Sequence, residues 1–468
     1  MGETRGWPRS EWAFLNRIGT LVPFVAFSGV IPEGLSGSNS EQFRFRPVIV
    51  SEQWHQLVKV PWHSTRNYVM LVVILDSGEE GLVCFPEQSR CRSKVICIMR
   101  RKNIATLGVV ALSALLAGGT QAQTLTNYTS FGNNGHLASA AGDITLDQGN
   151  LTRGMAVMSN GQVIVVNRQG GVNIRVIDGV TGTIQPGEVN DTGITGGTFT
   201  VNMAGASGDG KLYVANLTTT AASSALKVYE WSDLSAAPTV VYNSTFTEAG
   251  ITGARLGDTL DVRGSGNNIE MVLGLDSATG GGGYLHLTRP SGSGSFGGTY
   301  QAATGAPIDA HRLGITFGSG SNVYGTQGGA VSSVSTIGGP RTSALVLADA
   351  NERFLDSTII NGVEYLATLQ TDGTGNRNRV RVYDMTNPAA PVLVASGRND
   401  LVGDGLANVG ATGQIRWGAV NGSKAVIYAM NTNNGIQAYE FDAVPEPATM
   451  TLLALGALAA RRRRKNSK

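Results

Sequence analysis

Asn173-Ile-Arg-Val-Ile-Asp178 and Arg379-Val-Arg-Val-Tyr-Asp384 are two copies of the short segment that decides the fold. Polar and β-branched residues alternate in both, as in a half-buried β-strand, and the final acid opens a turn. The same kind of strand recurs at Leu226–Trp231, Tyr284–Thr288, Val331–Ser335 and Gln437–Phe441. Asp178 and Glu440 are 262 residues and five intervals apart, so the repeat averages about 52 residues.

A second strand precedes each of these segments after a turn, at 161–166, 210–215, 268–273, 322–324, 362–366 and 424–428. Repeats of roughly 40–50 residues with several strands each are typical of β-propellers. We therefore predict an all-β chain with a β-propeller of six or seven blades over residues 123–443. The Gly-rich stretch 274–345 is the place where a seventh blade would lie. A parallel β-solenoid is the alternative, but its coils are usually shorter than about 30 residues.

The C-terminal end differs from the repeats. It consists of the motif Val444-Pro445-Glu446-Pro447, an apolar run over 448–460, and a basic end over 461–468 that contains Arg461, Arg462, Arg463 and Arg464. Thirteen helical residues rise about 20 Å, less than the roughly 30 Å hydrocarbon core, so a spanning helix needs snorkelling flanks or a thinned bilayer. The arginines would hold the C-terminus in the cytoplasm, and the prolines would keep the approach extended.

This tripartite tail resembles the PEP-CTERM sorting signal of bacterial exosortase substrates. The resemblance implies an exported protein that is trimmed near Pro445 by an exosortase-type enzyme. It also implies an inner-membrane intermediate and a final location at the cell surface or in the extracellular matrix. A plain C-terminal anchor and a buried amphipathic helix are the alternatives for residues 444–468.

A second targeting signal lies inside the chain. Met99-Arg100-Arg101-Lys102 is basic, Ile104–Ala117 is apolar, and small residues lead to Ala122. This order predicts a signal-peptide helix over 99–122, cleaved by signal peptidase between Ala122 and Gln123.

Residues 1–98 precede that signal and differ from the repeats in composition. They hold all three cysteines and four of the six tryptophans. Because a secretory signal has to emerge first from the ribosome, we interpret 1–98 as a spurious or disordered N-terminal extension. The alternative is a real N-terminal domain followed by an uncleaved membrane helix.

The charge balance of the predicted mature region excludes some partners. Residues 124–443 contain 3 Lys and 14 Arg against 17 Asp and 7 Glu, a net charge of −7, and no cysteine. An acidic region of this kind argues against nucleic-acid binding. Disulfides, thiol chemistry and cysteine metal sites are unavailable to it.

One residue type recurs at the predicted first strand of most repeats: Arg153, Arg255, Arg312, Arg353 and Arg416. The second repeat breaks the pattern with Val201–Ala204. Since first strands surround the central channel of a propeller, these arginines are candidates for an anion-binding mouth. Guanidinium groups bind carboxylate or sulfate bidentately, which suggests an acidic polysaccharide. The alternative is that each arginine pairs with an aspartate of its own or a neighbouring blade, such as Asp258 or Asp356.

No catalytic residues and no metal site are predicted. Asp-rich turns at 207–210 and 372–376 have oxygen ligands suited to Ca²⁺, but tight-turn chemistry explains them equally well. The repeats resemble WD40- and NHL-type propellers in length and strand order, without their signature residues. They also resemble an uncharacterised propeller-like family of bacterial envelope proteins, which implies no known activity.

Two functions remain open. The first is a non-enzymatic envelope or matrix protein that binds exopolysaccharide or other surface proteins. The second is a secreted propeller enzyme, a glycan lyase or hydrolase, which would need a pair of carboxylates about 5–10 Å apart in a channel or pocket.

Overall fold

The computed structural model describes residues 123–443, except 188, 277–281, 329–330, 372–376 and 409, and the backbone of five earlier strands. Residues 121–447 form one compact unit, and residues 1–120 with 448–468 form another. In the second unit, β1 pairs antiparallel with β2 and β3, and β4 pairs with β5. Their bounds are β1 Phe24–Val30, β2 Val48–Val50, β3 Tyr68–Ile74, β4 Leu82–Pro86 and β5 Val95–Met99. The interpretation of 1–98 as a spurious extension stays a prediction.

The larger unit is a six-bladed β-propeller. Its chain begins with two short strands, β6 (Thr124–Asn127) and β7 (His136–Leu137). The blades follow in chain order, each from its innermost strand outward. Blade 1 contains β8 (Thr152–Val157), β9 (Val163–Asn167) and β10 (Asn173–Ile177); blade 2 contains β11 (Phe199–Ala206), β12 (Leu212–Leu217), β13 (Leu226–Trp231) and β14 (Thr239–Ser244).

Blades 3 and 4 occupy the Gly-rich part of the chain. Blade 3 contains β15 (Arg255–Leu256), β16 (Asp261–Arg263), a 3-10 turn (Gly266–Asn268), β17 (Glu270–Asp276), β18 (Tyr284–Thr288) and β19 (Gly297–Gln301). Blade 4 contains β20 (Gly314–Phe317), β21 (Asn322–Gly328), β22 (Val331–Thr336) and β23 (Arg341–Ser343). The stretch 274–345 is therefore used by these two blades, and the blade count is six rather than seven.

The last two blades complete the ring. Blade 5 contains β24 (Glu352–Ile360), β25 (Val363–Gln370), β26 (Val380–Asp384) and β27 (Val392–Gly397); blade 6 contains β28 (Gly413–Asn421), β29 (Lys424–Asn431) and β30 (Ile436–Asp442). The outer strand of blade 6 is β6, which pairs antiparallel with β30, so that Thr124 lies opposite Asp442. The start of the propeller thus covers the sheet edge that β30 would otherwise leave unpaired.

The hydrophobic core is divided into six clusters, one at each contact between neighbouring blades. Met203 and Tyr213 of blade 2, for example, belong to the same cluster as Leu273 and Leu285 of blade 3. The middle strands are covered on both faces, which explains why β9 is buried along its whole length. A strand covered on both sides reads as a continuous apolar run rather than as an alternating one.

The strand predictions are confirmed. The repeated segments are the third strands of the six blades, and the strands predicted before them are the second strands. In the part of the chain that the structure describes, no helix is long and apolar enough to cross a membrane. The predicted helices at 104–117 and 448–460 lie outside the described residues.

Candidate functional site

The direction of the strands gives the ring two distinct ends. First and third strands run one way, and second and fourth strands run back. We call the end where the first strands begin the entry face; it includes Thr152, Phe199 and Glu352. The opposite end is the closure face, where β30 ends at Asp442 and β6 begins at Thr124.

Four arginines at the entry face lie in the field of one buried carboxylate, Asp258, whose side chain is 2% exposed; two of them contact it directly. We call Arg153, Arg168, Arg255 and Arg312 the arginine cluster. Arg255 binds Asp258 bidentately, from Nε to Oδ2 at 2.5 Å and from Nη2 to Oδ1 at 2.7 Å. Arg312 Nε lies 3.4 Å from Asp258 Oδ2, and its Nη1 lies 3.1 Å from Asp276 Oδ2.

The other two arginines come from blade 1. Arg153, the second residue of β8, donates from Nη1 to Thr412 Oγ1 at 2.7 Å. Arg168 follows β9, and its guanidinium lies 4.1 Å from the centre of the Phe199 ring, a cation–π contact. Neither makes the kind of direct carboxylate pair that Arg255 and Arg312 make with Asp258.

The positive charge of the cluster is incompletely balanced. Burial, together with the positive charges of Arg153 and Arg255, lowers the pKa of Arg168 to about 9, and Asp258 opposes this shift. Burial also lowers the pKa of Arg153 to about 10, with Asp258 opposing. Four guanidinium groups face two carboxylates, Asp258 and Asp276, which leaves a formal local charge of +2.

Some hydrogen-bond donors of the cluster are unused. Arg168 Nε and Nη1 and Arg153 Nε are buried and have no hydrogen-bond partner among the described residues. Buried N–H groups without an acceptor are costly, and charged ones more so. An oxyanion placed among these groups would supply both the acceptor and the missing negative charge.

Blade 2 contributes an amide where the other repeats have arginine. Asn202 lies at an irregularity in the pairing of β11, between Phe199 and Met203. Its Nδ2 donates to the carbonyl oxygen of Gly257 at 2.5 Å, and its buried Oδ1 has no partner among the described residues. Bulges of this kind often re-aim side chains near functional sites.

Arg416 lies deeper in the ring, in the middle of β28. Its Nη1 lies 3.3 Å from Asp261 Oδ1 and 3.5 Å from Asp356 Oδ1. Its Nη2 donates to the carbonyl oxygens of Leu260, at 2.5 Å, and Ala204, at 3.2 Å. With 6% exposure and four protein acceptors, Arg416 ties blade 6 to blades 2, 3 and 5.

Gln414 extends this tie. Its Oε1 accepts from the backbone N–H groups of Met155, at 2.5 Å, and Ala204, at 3.3 Å. Its Nε2 donates to the carbonyl oxygen of Ala204 at 3.0 Å. The centre of the propeller is thus crossed by side chains from blade 6 that hold the inner strands of blades 1 and 2.

Asp356 and Asp261 are the paired carboxylates of this region. Burial raises the pKa of Asp356; Arg416 opposes the rise and the charge of Asp261 adds to it. Asp356 Oδ2 accepts from the backbone N–H of Trp417 at 2.6 Å, and Asp261 Oδ2 accepts from the backbone N–H of Phe317 at 2.9 Å. Arg416 occupies the space between the two carboxylates.

Arg353, the fifth predicted arginine, lies in blade 5 against Gly328 of blade 4. A Cβ on Gly328 would stand 3.3 Å from Arg353 Nε, so the glycine, with φ of +98°, leaves room for that side chain. The five predicted arginines therefore do not form an even ring. Three of them join the arginine cluster, one packs between blades 4 and 5, and one is internal.

The described residues hold no group of three or more His, Cys, Asp or Glu side chains placed to bind a metal ion. At the predicted turn 207–210, Asp209 accepts from Ser207 Oγ within the turn at 2.5 Å and from the backbone N–H of Gly266 in blade 3 at 3.0 Å. The turn 372–376 lies outside the described residues. His311 is fully buried, with its Nδ1 2.7 Å from the carbonyl oxygen of Gly282, and is closed to a substrate.

The predicted processing residues mostly lie outside the described part of the chain: Ala122, Val444, Pro445, Glu446, Pro447, Arg461, Arg462, Arg463 and Arg464. Gln123 is described, and its Nε2 donates to Tyr365 Oη at 3.2 Å. The position of Gln123 is thus one residue before the strand that closes the ring.

Sequence patterns missed Arg168 and Asp276. Arg168 lies in the turn after β9, outside the repeat position that marked the other arginines. Asp276 ends β17, and only the pairing of that strand with β15 brings it opposite Arg255. No periodic signal in the sequence marks either residue.

Comparison with known proteins agrees with this architecture. Residues 118–280 match a domain of unknown function, DUF4623, and residues 443–465 match the PEP-CTERM protein-sorting motif. No curated protein matches the chain. A DUF4623 family protein from Bacteroides eggerthii DSM 20697 is similar in structure, with a TM-score of 0.52 and 17% identity over 80% of this chain and 86% of that one.

Two arabinan-active enzymes show a weaker likeness. An α-L-arabinanase of Penicillium chrysogenum, complexed with arabinobiose, has a TM-score of 0.45 and 12% identity over 66% of this chain and 97% of that one. A GH93 α-L-arabinofuranosidase of Fusarium graminearum has a TM-score of 0.42 and 8% identity over 66% and 98%. Likenesses at this level carry no argument about activity. The chain is therefore a six-bladed β-propeller in which residues 118–280 are similar to DUF4623, and its residues 443–465 match the PEP-CTERM sorting motif.

Proposed function

We propose that this protein is a non-enzymatic component of the cell envelope or extracellular matrix that binds an acidic exopolysaccharide through its arginine cluster. The PEP-CTERM motif implies export and processing at the membrane by an exosortase. The observation that carries the binding proposal is the charge of the cluster. Four arginines face two carboxylates, and Arg153 and Arg168 have buried donors without partners among the described residues.

The cluster is open enough for a ligand to reach it. The side chains of Arg255 and Arg312 are 31% and 25% exposed, while their shared partner Asp258 is buried. A carboxylate or sulfate group accepts two parallel hydrogen bonds from a guanidinium, which a neutral sugar cannot do. The saccharide hydroxyls would complement Thr412 and the free Oδ1 of Asn202.

The rest of the propeller favours a local site over general attraction. Residues 124–443 carry a net charge of −7, so a polyanion is repelled elsewhere on the surface. That balance disfavours nucleic acid, whose binding depends on many phosphate contacts. A saccharide strand with spaced acidic groups needs only one or two of them at the cluster.

The enzymatic alternative has no comparable support. Asp261 and Asp356 both lie within 3.5 Å of Arg416 Nη1 and form a carboxylate pair inside the ring. A hydrolase needs a sugar between its two carboxylates. Here the guanidinium of Arg416 fills that space, so the pair contributes to the structure instead.

The binding proposal is tested with the full chain in detergent, by titration with polygalacturonate and with neutral dextran at two salt concentrations. We expect polygalacturonate to bind, dextran not to bind, and Arg168→Gln to weaken the binding about tenfold or more. Weaker binding at higher salt is also expected, because the contacts are ionic.

Lys424→Gln is the matched control. It removes one positive charge from the closure face, where Lys424 is exposed and pairs with Glu440. If Arg168→Gln and Lys424→Gln weaken binding equally, the loss comes from the change in net charge, and the arginine cluster is not the binding site. No binding of polygalacturonate by the unaltered chain would refute the proposal.

A further inference from the structure

Both ends of the propeller lie on the closure face. β30 runs from the entry face to Asp442, and β6 starts opposite it at Thr124. Ala443, which follows Asp442 at the end of β30, is buried. Its backbone N–H donates to the carbonyl oxygen of Ser423, in the turn between β28 and β29, at 2.8 Å. The contact of Ala443, next to Val444 of the sorting motif, is therefore made on this face.

The arginine cluster lies at the opposite end. Arg153 is the second residue of a first strand, and Arg312 lies two residues before another. Arg168 follows a second strand, which also ends at the entry face. The height of a blade thus separates the cluster from the residue where the sorting tail begins.

The tail is too short to undo that separation. Four residues, 444–447, connect Ala443 to the apolar run that begins at Ala448. Five steps of at most about 3.6 Å reach roughly 18 Å. Eight strand residues, the length of β29, span about 27 Å. Because the tether does not reach around a blade, a propeller held in this way cannot lie with its entry face against the bilayer.

We propose that the arginine cluster faces away from the membrane while the protein is held there by its sorting tail, so that the unprocessed protein already binds acidic polysaccharide outside. This inference rests on the proposed function for the identity of the ligand. The orientation itself depends on the strand directions, on the length of residues 444–447 and on the predicted insertion of the apolar run 448–460 into the membrane. It also keeps the cluster away from anionic lipid head groups, which would otherwise compete for it.

The orientation is tested with two alanines on either side of β27, in the blade next to the ring closure. Ala389, between β26 and β27, is exposed on the closure face, and Ala407, between β27 and β28, is exposed on the entry face. Each is changed to cysteine in the full chain after Cys84, Cys91 and Cys97 have been replaced by serine. The protein is kept unprocessed in membranes without exosortase, and the rate of labelling by a bulky maleimide is compared before and after detergent extraction.

We expect Ala389→Cys to react several times more slowly in the membrane than in detergent, and Ala407→Cys to react at similar rates in both. Slowing of Ala407→Cys, or equal slowing of both variants, would overturn the orientation. Polygalacturonate binding is measured on the same membranes and on the extracted protein. If extracted protein binds but membrane-held protein does not, the orientation proposal fails alone. If neither binds, the proposed function fails and the labelling rates still decide the orientation.

Discussion

Arg416 and the arginine cluster use the same type of side chain at two depths of the ring, and in opposite charge environments. Arg416 is one guanidinium between two buried aspartates and two carbonyl oxygens. The cluster has four guanidinium groups and two carboxylates. A buried Nε without a partner among the described residues occurs in Arg416 as well as in Arg153, so that feature does not separate the two sites. The ratio of carboxylates to arginines, rather than the position in the repeat, therefore distinguishes a structural tie from a site open to an anion.

The largest effect should come from breaking the tie. Arg416→Met leaves Asp261 and Asp356 buried without their cation, and removing one partner of a buried ion pair costs about 3–5 kcal/mol. The measurement is the free energy of unfolding in guanidinium chloride. Arg398→Met, which breaks the more exposed pair with Asp404, serves as control and should cost less than about 1 kcal/mol. If both variants lose a similar free energy of unfolding, Arg416 is no more structural than an exposed ion pair.

A smaller effect should follow from the titration of Asp356. Its pKa is raised from 3.8 to about 7 in the folded protein, so between these values the folded state holds a proton that the unfolded state has lost. Stability contributed by this group is therefore present at low pH and lost as the pH rises through that window. The free energy of unfolding should fall from pH 4 to 7 relative to that of Asp356→Asn.

His311 does not disturb that comparison. Burial lowers its pKa to about 4, which gives an opposite pH dependence, but it is present in both proteins and cancels in their difference. The free energies of unfolding of Asp356→Asn and the unaltered protein are therefore compared at each pH. If their difference stays constant over pH 4–7, Asp356 is ionised throughout.

The smallest change in stability should come from the cluster. Arg168→Gln removes a cation–π contact worth about 0.5–1 kcal/mol, and it relieves repulsion from Arg153 and Arg255. We expect the unfolding free energy to change by less than about 1 kcal/mol without ligand. An oligogalacturonate at ten times its Kd should stabilise the unaltered protein by about 1.4 kcal/mol, and the variant, which binds at least tenfold more weakly, by about 0.4 kcal/mol or less. Equal stabilisation of both would place the anion elsewhere.

The propeller was predictable because its repeats are local. Each blade repeats a turn, a buried second strand and an alternating third strand within about 52 residues, as the segments ending at Asp178 and Asp384 illustrate. The number of blades was less certain, because glycine and serine obscure the strands between β17 and β23. Pairing between β6 and β30 joins residues about 310 apart in the chain, and no local pattern marks it.

The candidate site was predicted only in part. Repeat position identified Arg153, Arg255 and Arg312, but it also selected Arg416, whose partners Asp261 and Asp356 come from other blades. Arg168, from a turn without a repeat signature, joins the cluster because the fold brings the charges of blades 1 and 3 together. The charges around each arginine come from several blades and are set by the tertiary structure. A repeat pattern therefore shows which residues recur, but not which charges lie next to them.

The sequence by itself determined the all-β class, the repeat, the acidic balance and the sorting motif at 443–465, because each depends on residues that are close together in the chain. Tertiary structure alone decided that Asp258 pairs with Arg312 of the next blade as well as with Arg255, that Arg416 is internal, and that the entry face lies opposite the two ends of the propeller. These features arise where strands from separate blades meet, because burial and strand direction there determine which charges are balanced and which remain open to a ligand.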